Sequence, residues 1–368
     1  MRNDEFPISN SQLPTTNYQP PIAMLLQNYR PIPQLVTKTT RIEVPRFPVI
    51  DAHNHLAAPY GGAWDEKPLS ELLAVLDEAR VQKFVDLDGG WGEALLQKHL
   101  DRFKAKAPER FQIFGGVDWA QWQTLGANFP EWAAKRLEVQ KSWGAQGLKI
   151  WKPFGLKVRD EKDELVKIDD PRLDPLWQTA ATLGLPVMIH IADPVAFFTP
   201  LDERNERWDE LSAHPEAHFP SPPYPSFHEL IEAFARLVLR HPQPVFIGAH
   251  VGCYAENLGW VSNLLQRAPN FYVDISARIP ELGRQPYTAR RFFLEHQDRI
   301  LFGTDHPANA ETYRAHYRFL ESDDEYFAYD ADPEAIPGQG RWRIYGLYLP
   351  EDVLEKVYWK NAEKVYQW

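Results

Sequence analysis

Short apolar runs recur along the chain from about residue 47, separated by amphipathic stretches long enough to form helices. Each run is short, rich in β-branched and aromatic residues and bounded by turn residues, which indicates a buried strand. The runs span residues 47–56, 81–87, 111–117, 147–151, 186–191, 245–251, 271–275 and 300–303. Strands that alternate with helices pair in parallel through right-handed crossovers. Eight such units predict an α/β fold, a (β/α)8 TIM barrel over residues 47–368.

A doubly wound open sheet is the alternative fold, but no glycine-rich dinucleotide fingerprint follows any of the strands. The connecting stretches carry helix signals. Residues 130–143, for example, open with Pro130 and stop at Gly144, the usual asymmetry of helix ends. Two connections, residues 193–225 after the fifth strand and 309–349 after the eighth, exceed normal loop length. Insertions of that length are typical of lids and binding walls.

Residues 1–46 differ from the rest of the chain because they are rich in proline and show little periodicity. This composition predicts an extended N-terminal arm. We interpret the arm as a packing or dimer-contact element and therefore expect a homo-oligomer.

Bulk composition narrows the class of function. The chain of 368 residues carries 40 basic and 51 acidic side chains, a net charge of −11, which argues against nucleic-acid or anionic-membrane binding. No apolar run is long enough to span a membrane and no apolar leader opens the chain, so we expect a cytoplasmic protein, with a trimmed signal peptide left open. The lone Cys253 excludes an internal disulfide and is interpreted as a small buried apolar residue.

The first strand ends in the motif VIDAHNHL, residues 49–56, which carries Asp51, His53 and His55 at alternate positions. Alternate residues of a strand share one face, so we expect these three side chains to point the same way. Two imidazoles on one face can bind one cation together. A pair of ordinary surface histidines is the alternative.

Four later strands also end in an ionisable side chain. Lys149 lies in GLKIW, His190 in VMIHIAD, His250 in FIGAHVG and Asp305 in ILFGTDHP. In a barrel these side chains converge on one mouth, where active sites form. Their proximity would be unfavourable unless a cation or a substrate satisfied them.

This set of motifs resembles the amidohydrolase superfamily. The FGTDHP sequence and the final helix with KNAEKVY resemble its amidohydrolase-related (amidohydrolase-2) branch, over residue 49 to the C-terminus. That branch includes metal-dependent hydrolases, lactonases and non-oxidative aromatic decarboxylases. The resemblance implies one divalent metal ion, zinc first and manganese or iron(II) as alternatives. The implied ligands are His53, His55, His190 and Asp305. It implies catalytic roles for His250, as acid or polarising group, and for Asp305, as base beside a metal-activated water.

Three further residues are predicted to contact a small-molecule substrate: Lys149, Trp151 and Arg278. In binuclear relatives a lysine on the fourth strand is carboxylated and bridges two metals, so this role is kept as the second interpretation of Lys149. Arg278 could clamp an anionic group or form a surface salt bridge. An aromatic wall or ordinary packing is expected of Trp64, Trp91, Trp119, Trp151, Phe197, Phe198 and Tyr254.

We therefore expect a metal-dependent hydrolase of a small polar or anionic substrate, such as a lactone, ester or amide. The reason is a mouth predicted to be polar and hydrated, with Lys149, Lys152, Asp193, Arg278 and His306. A non-oxidative decarboxylase of an aromatic carboxylic acid on the same metal scaffold is the alternative. A barrel that binds a ligand without catalysis is the third interpretation.

Overall fold

The structure is a computed structural model that describes residues 24–25, 28–29, 31–58, 60–330 and 338–368. The chain divides into two compact units, residues 1–36 and 37–368. Most of the predicted arm, residues 1–23, lies outside the described residues. The end of the arm belongs to the second unit, where Thr40 bonds Asp324 and Arg46 bonds Glu321.

Eight parallel strands follow one another in the second unit. They are β1 Val49–Asn54, β2 Val81–Asp86, β3 Phe111–Ile113, β4 Leu148–Ile150, β5 Val187–Ile189, β6 Phe246–Gly248, β7 Phe271–Asp274 and β8 Ile300–Leu301. Strands β1–β3 form one sheet and β4–β8 another. A parallel bridge between Gly115 and Leu148 joins β3 to β4, and the Ala52 amide donates to the Phe302 carbonyl at 2.9 Å to join β8 to β1. The sheets are thus connected at both edges, and the predicted TIM barrel is confirmed.

Helices connect the strands, as the amphipathic segments predicted. Their bounds are Leu69–Glu78, Glu93–His99, Gln121–Leu125, Phe129–Trp143, Asp174–Thr182, Trp208–Ala213, Phe227–Arg240, Leu258–Arg267, Ile279–Arg284, Pro286–Glu295, Ala310–Glu321, Glu351–Glu355 and Asn361–Tyr366. The helix Phe129–Trp143 ends at Gly144, whose φ of 116° suits glycine. Ser226 and Glu229 form a capping box at the start of Phe227–Arg240. Within the part of the chain that the structure describes, every helix is too short or too polar to cross a bilayer.

The N-terminal end of the barrel is closed by the last helix. The interior is filled by strand residues such as Ile50, Met188 and Ile247, and Tyr366 packs below them. The Tyr366 hydroxyl donates to the Ala52 carbonyl at 3.0 Å, and the Gln112 side chain donates to the Tyr366 carbonyl at 3.0 Å. The opposite end, where the strands finish, is therefore the end available for a site.

A buried ion pair fixes the first insertion to the barrel, and a partly buried ion pair joins it to the second insertion. Arg207, on the first insertion, is buried and pairs with Glu281 and with Glu210. Asp209 pairs with Arg341 of the second insertion at 2.7 Å. Residues 331–337 of that insertion lie outside the described residues. These contacts make the insertions part of the wall above the strand ends.

The buried His316, on the helix Ala310–Glu321, generates a stability prediction. Burial lowers its pKa to about 3, so above pH 6.5 it is neutral both folded and unfolded. Below pH 6.5 the His316 ring binds a proton in the unfolded chain but not in the folded protein, so the stability of the fold falls as the pH drops toward 3. Urea unfolding should show that the free energy of unfolding falls less between pH 7 and pH 5 in His316→Gln than in the wild-type protein, by about 2 kcal/mol. The exposed His214→Gln should leave the loss unchanged. An unchanged loss in His316→Gln would contradict the assignment.

Candidate active site

Three imidazoles surround one carboxylate at the open end of the barrel, and a fourth contacts one of the three. His55 Nε2 lies 3.1 Å from Asp305 Oδ1, and His53 Nε2 lies 3.8 Å from the same oxygen. His250 Nε2 lies 3.7 Å from Asp305 Oδ2. His190 Nδ1 lies 3.3 Å from His250 Nε2. All four histidines are buried. The structure thus brings together the predicted residues that follow β1, β5, β6 and β8.

The outer nitrogens of His53 and His55 are held by buried carboxylates. His53 Nδ1 lies 2.9 Å from Asp274 Oδ2, and His55 Nδ1 lies 2.8 Å from Asp88 Oδ1. An ionised carboxylate only accepts, so each Nδ1 carries the proton and donates. In the neutral ring the Nε2 lone pair then faces Asp305, as in metal-binding histidines that are oriented by a carboxylate.

The same reasoning applies to the other two histidines. His250 Nδ1 donates to the Ser276 carbonyl at 2.9 Å, and His190 Nε2 donates to Asp193 Oδ1 at 3.2 Å. The inner nitrogens of both neutral rings are therefore acceptors, although they lie only 3.3 Å apart. Two acceptors at that distance need a proton or a cation between or beside them.

The pKa values of the histidines support the assignment of neutral rings. Burial lowers the pKa of His53, lowers that of His190 to about 4 and holds that of His250 well below its usual value, so all three rings are neutral near pH 7. Burial also lowers the pKa of His55, but hydrogen bonds to Asp305 and Asp88 outweigh it and raise the pKa to about 9. A metal ion would replace this proton, because ligation needs the neutral ring.

Neutral imidazoles with one carboxylate are a donor set that suits zinc, manganese and related divalent ions. The candidate ligand atoms of His53, His250 and Asp305 lie within 4.8 Å of one another. His190 approaches this trio through His250, at 3.3 Å, whereas His250 itself lies 3.7 Å from Asp305. The division of roles between these two histidines stays a prediction.

Strained backbone holds two of these residues. His250, Val251, Gly252 and Cys253 form one left-handed turn after β6, with φ angles of 57°, 59°, 65° and 60°. Such a turn costs roughly 1–2 kcal/mol for each residue with a side chain. The His250 amide donates to Asp274 Oδ1 at 3.0 Å, which fixes the turn. Asp305 also has a positive φ, 52°. Strain of this kind concentrates at functional sites. Burial raises the pKa of Cys253 to about 11, in line with the interpretation of this thiol as an apolar residue.

Sequence reasoning missed the carboxylates that orient the histidines. Asp274 ends β7 and Asp88 follows β2, so a search for acidic residues at all eight strand ends would have found both. Asp51 was expected to point the same way as His53 and His55. It instead accepts hydrogen bonds from Thr304 and from the Tyr313 hydroxyl at 2.7 Å. The β1–β2 register shifts between Asp51 and Asn54, which interrupts the simple alternation.

Comparison with known proteins identifies the family. The amidohydrolase family model matches residues 50–368. This chain belongs to the amidohydrolase family. No curated protein matches it.

Solved structures give the same fold. 2,6-Dihydroxybenzoate decarboxylase from Rhizobium is 17% identical, with a TM-score of 0.55 over 87% of this chain and 98% of the other. A putative amidohydrolase from Staphylococcus aureus is 19% identical, with a TM-score of 0.53 over 88% and 100%. A dihydroxybenzoic acid decarboxylase from Polaromonas, with bound manganese and 2-nitroresorcinol, is 19% identical, with a TM-score of 0.51 over 82% and 86%. At these identities the likeness shows the fold.

The cavity of this amidohydrolase, about 520 Å³, has an aromatic wall beside the histidine cluster. The rings of Trp91 and Trp151 stack with centroids 4.0 Å apart, and Trp151 stacks on His55 at 5.0 Å. Tyr60 adds a third aromatic ring to this side. Phe197 also lines the cavity, as expected. The other predicted aromatics lie elsewhere: Trp64 and Phe198 are buried in the core, Tyr254 packs on Phe227, and Trp119 lines a neighbouring cavity.

The charged groups of the cavity are unevenly paired. Lys152 Nζ lies 2.6 Å from Asp193 Oδ2, so these two charges compensate each other. Arg278 is only 6% exposed and donates to the Ala277 carbonyl, but no carboxylate of the described residues forms a salt bridge with it. Lys149 is buried beside the cavity, with Nζ 3.4 Å from His53 Nε2 and 4.9 Å from the centre of the Trp151 ring. Burial lowers its pKa to about 8.

Asp274 should control metal affinity without binding the metal. Asp274→Asn removes the charged acceptor for His53 Nδ1, so the ring loses its fixed tautomer and some basicity. We expect the affinity for zinc or manganese, measured by titration of the metal-free protein, to fall about 10- to 100-fold. The exposed Asp298→Asn serves as the control. Equal affinity in the Asp274 and Asp298 variants would exclude an orienting role.

Proposed function

We propose that this protein is a metal-dependent decarboxylase of an aromatic carboxylic acid. One observation carries the proposal: the cavity combines a stacked aromatic wall with a buried arginine that lacks an acidic partner among the described residues. The wall of Tyr60, Trp91 and Trp151 offers ring faces to a planar substrate, and Arg278 offers a cation to its carboxylate.

The expected hydrolase becomes the second candidate. It depended on a hydrated, strongly polar mouth, but Lys152 and Asp193 form an ion pair and Lys149 is buried. Among the described residues that line the cavity, Arg278 is the buried cation that remains to attract a substrate, and the exposed Lys157 adds a second positive charge. Asp305 still favours hydrolysis in one respect. Burial raises its pKa, yet the facing His53 and His55 outweigh this and hold the carboxyl ionised, as a base requires.

The comparisons support the same choice. The Rhizobium and Polaromonas structures are those of dihydroxybenzoate decarboxylases, and the latter contains manganese. Manganese is therefore as suitable a candidate here as zinc. We propose His53, His55, His190 and Asp305 as its ligands.

The residues of this chain would share the reaction as follows. A bound divalent ion supplies positive charge that stabilises the substrate oxygens. Arg278 pairs with the carboxylate and the aromatic wall fixes the ring plane. His250 Nε2, the nitrogen that its Ser276 hydrogen bond leaves free, is unprotonated in the neutral ring; it takes up a proton when the anionic substrate binds and delivers that proton to the ring carbon. The carbon–carbon bond then breaks, its electron pair stays with the ring, and carbon dioxide leaves.

The reaction class can be tested on two substrate panels. We expect the protein loaded with manganese or zinc to release carbon dioxide from hydroxybenzoates, measured by a coupled bicarbonate assay. We expect no turnover of sugar-acid lactones or acyl amides, followed by pH-stat titration. Hydrolysis of the second panel without carbon dioxide from the first would reject the decarboxylase and restore the hydrolase.

The metal content of two variants should distinguish the roles of His190 and His250. His190→Ala should lose stoichiometric metal and activity together, because it removes a proposed ligand. His250→Asn should keep the metal but lose about two to four orders of magnitude in kcat, the usual range for a general acid or base. The exposed His228→Asn should change neither property. Metal loss in His250→Asn with full occupancy in His190→Ala would exchange the two assignments.

A further inference from the structure

A second cavity of about 450 Å³ lies beside the first. The two share Trp91, Trp151 and Pro153 as a common wall. The far side of the second cavity is aromatic as well, formed by Trp119, Trp132 and Phe154. Trp119 and Phe154 pack against each other with ring centroids 4.2 Å apart. Aromatic residues therefore line the second cavity beyond the wall that it shares with the first.

The polar side chains that line this cavity are largely bonded to one another. Arg136 makes two hydrogen bonds to Glu93, at 2.8 and 2.5 Å. Gln140 donates to Glu93 at 3.0 Å and to the Gly116 carbonyl at 2.9 Å, and it accepts from the Gly116 amide. A sugar ring would need free donors and acceptors for its hydroxyls. With these groups engaged, the lining favours a flat apolar ring.

Glycines let the backbone pack closely beside the wall that the two cavities share. A Cβ on Gly116 would lie 2.5 Å from the Gly90 Cα, so a side chain there would collide with the backbone. Gly92 has a φ of 149°, and a Cβ there would meet nothing within 4 Å. Trp91, between Gly90 and Gly92, is 48% exposed and forms the rim common to both cavities. A ligand that occupied both cavities would cross this exposed rim.

We propose that the second cavity binds the remote aromatic ring of a two-ring substrate whose carboxylate-bearing ring occupies the first cavity. This inference rests on the proposed function, because it assumes an aromatic acid beside the metal site. It narrows the substrate class to acids with two linked aromatic rings. Trp132 contacts only the remote ring, since it lines the second cavity and not the first.

Binding of two inert probes to the full-length protein tests the proposal without turnover. We expect biphenyl-4-carboxylate to bind at least tenfold more tightly than benzoate in isothermal titration calorimetry. Trp132→Ala should abolish this preference and leave benzoate affinity unchanged. Trp143→Ala is the matched control, because Trp143 lies on the same helix but lines neither cavity. If Trp132→Ala does not fold, Trp132→Leu gives the same comparison.

The outcomes separate this inference from the proposed function. Equal affinity for the two probes in the wild-type protein, or a preference that survives at Trp132→Ala, would overturn the second site. Carbon dioxide release from single-ring acids would still support the decarboxylase in that case. Conversely, a Trp132-dependent preference for biphenyl-4-carboxylate in a protein that decarboxylates nothing would support the site and reject the reaction.

Discussion

The site depends on one constraint: the neutral rings of His53, His190 and His250 bring acceptor nitrogens close together beside an ionised carboxylate. Asp274 and Asp88 fix the outer nitrogens of His53 and His55, so the inner nitrogen of His53 is an acceptor and that of His55 becomes one when a metal ion replaces its proton. The inner atoms of His190 and His250 lie 3.3 Å apart. Buried acceptors without donors are costly. A shared cation would remove that cost for all of these nitrogens at once. The donor set therefore fits a metal site.

The barrel supplies what this arrangement needs. Parallel strands deliver their end residues to one rim, and buried carboxylates around that rim hold the rings from behind. The left-handed turn from His250 to Cys253 is locally unfavourable by several kcal/mol. Asp274 offsets part of this cost, because its carboxylate accepts one hydrogen bond from the His53 ring and another from the His250 amide. The same residue therefore orients a proposed ligand and stabilises the turn that carries the proposed acid.

Much of the fold and part of the site could be predicted from the sequence, because both depend on local patterns. The apolar runs located all eight strands, and ionisable residues at their ends located the histidine cluster. The pairing of charges could not be predicted, since Lys152 and Asp193 are 41 residues apart and meet only because they follow the neighbouring strands β4 and β5. Nor could the backbone of His250, because nothing in FIGAHVG indicates a left-handed turn at a histidine and a valine. The misplaced Asp51 has a similar origin: one register shift changes which side chains share a face.

These unpredictable pairings bear on the choice between the two candidate reactions. A list of charged residues near the strand ends suggests a hydrated mouth, and that favours water as the attacking group. In the folded protein, Asp193 compensates the charge of Lys152, and the Lys149 ammonium is buried against the Trp151 ring. The wall that remains is aromatic, and Arg278 is the buried cation beside it that can bind an anionic group. Loss of carbon dioxide converts a charged acid into an uncharged ring, which an apolar wall favours. The electrostatic balance of the cavity, more than its inventory of residues, therefore supports decarboxylation.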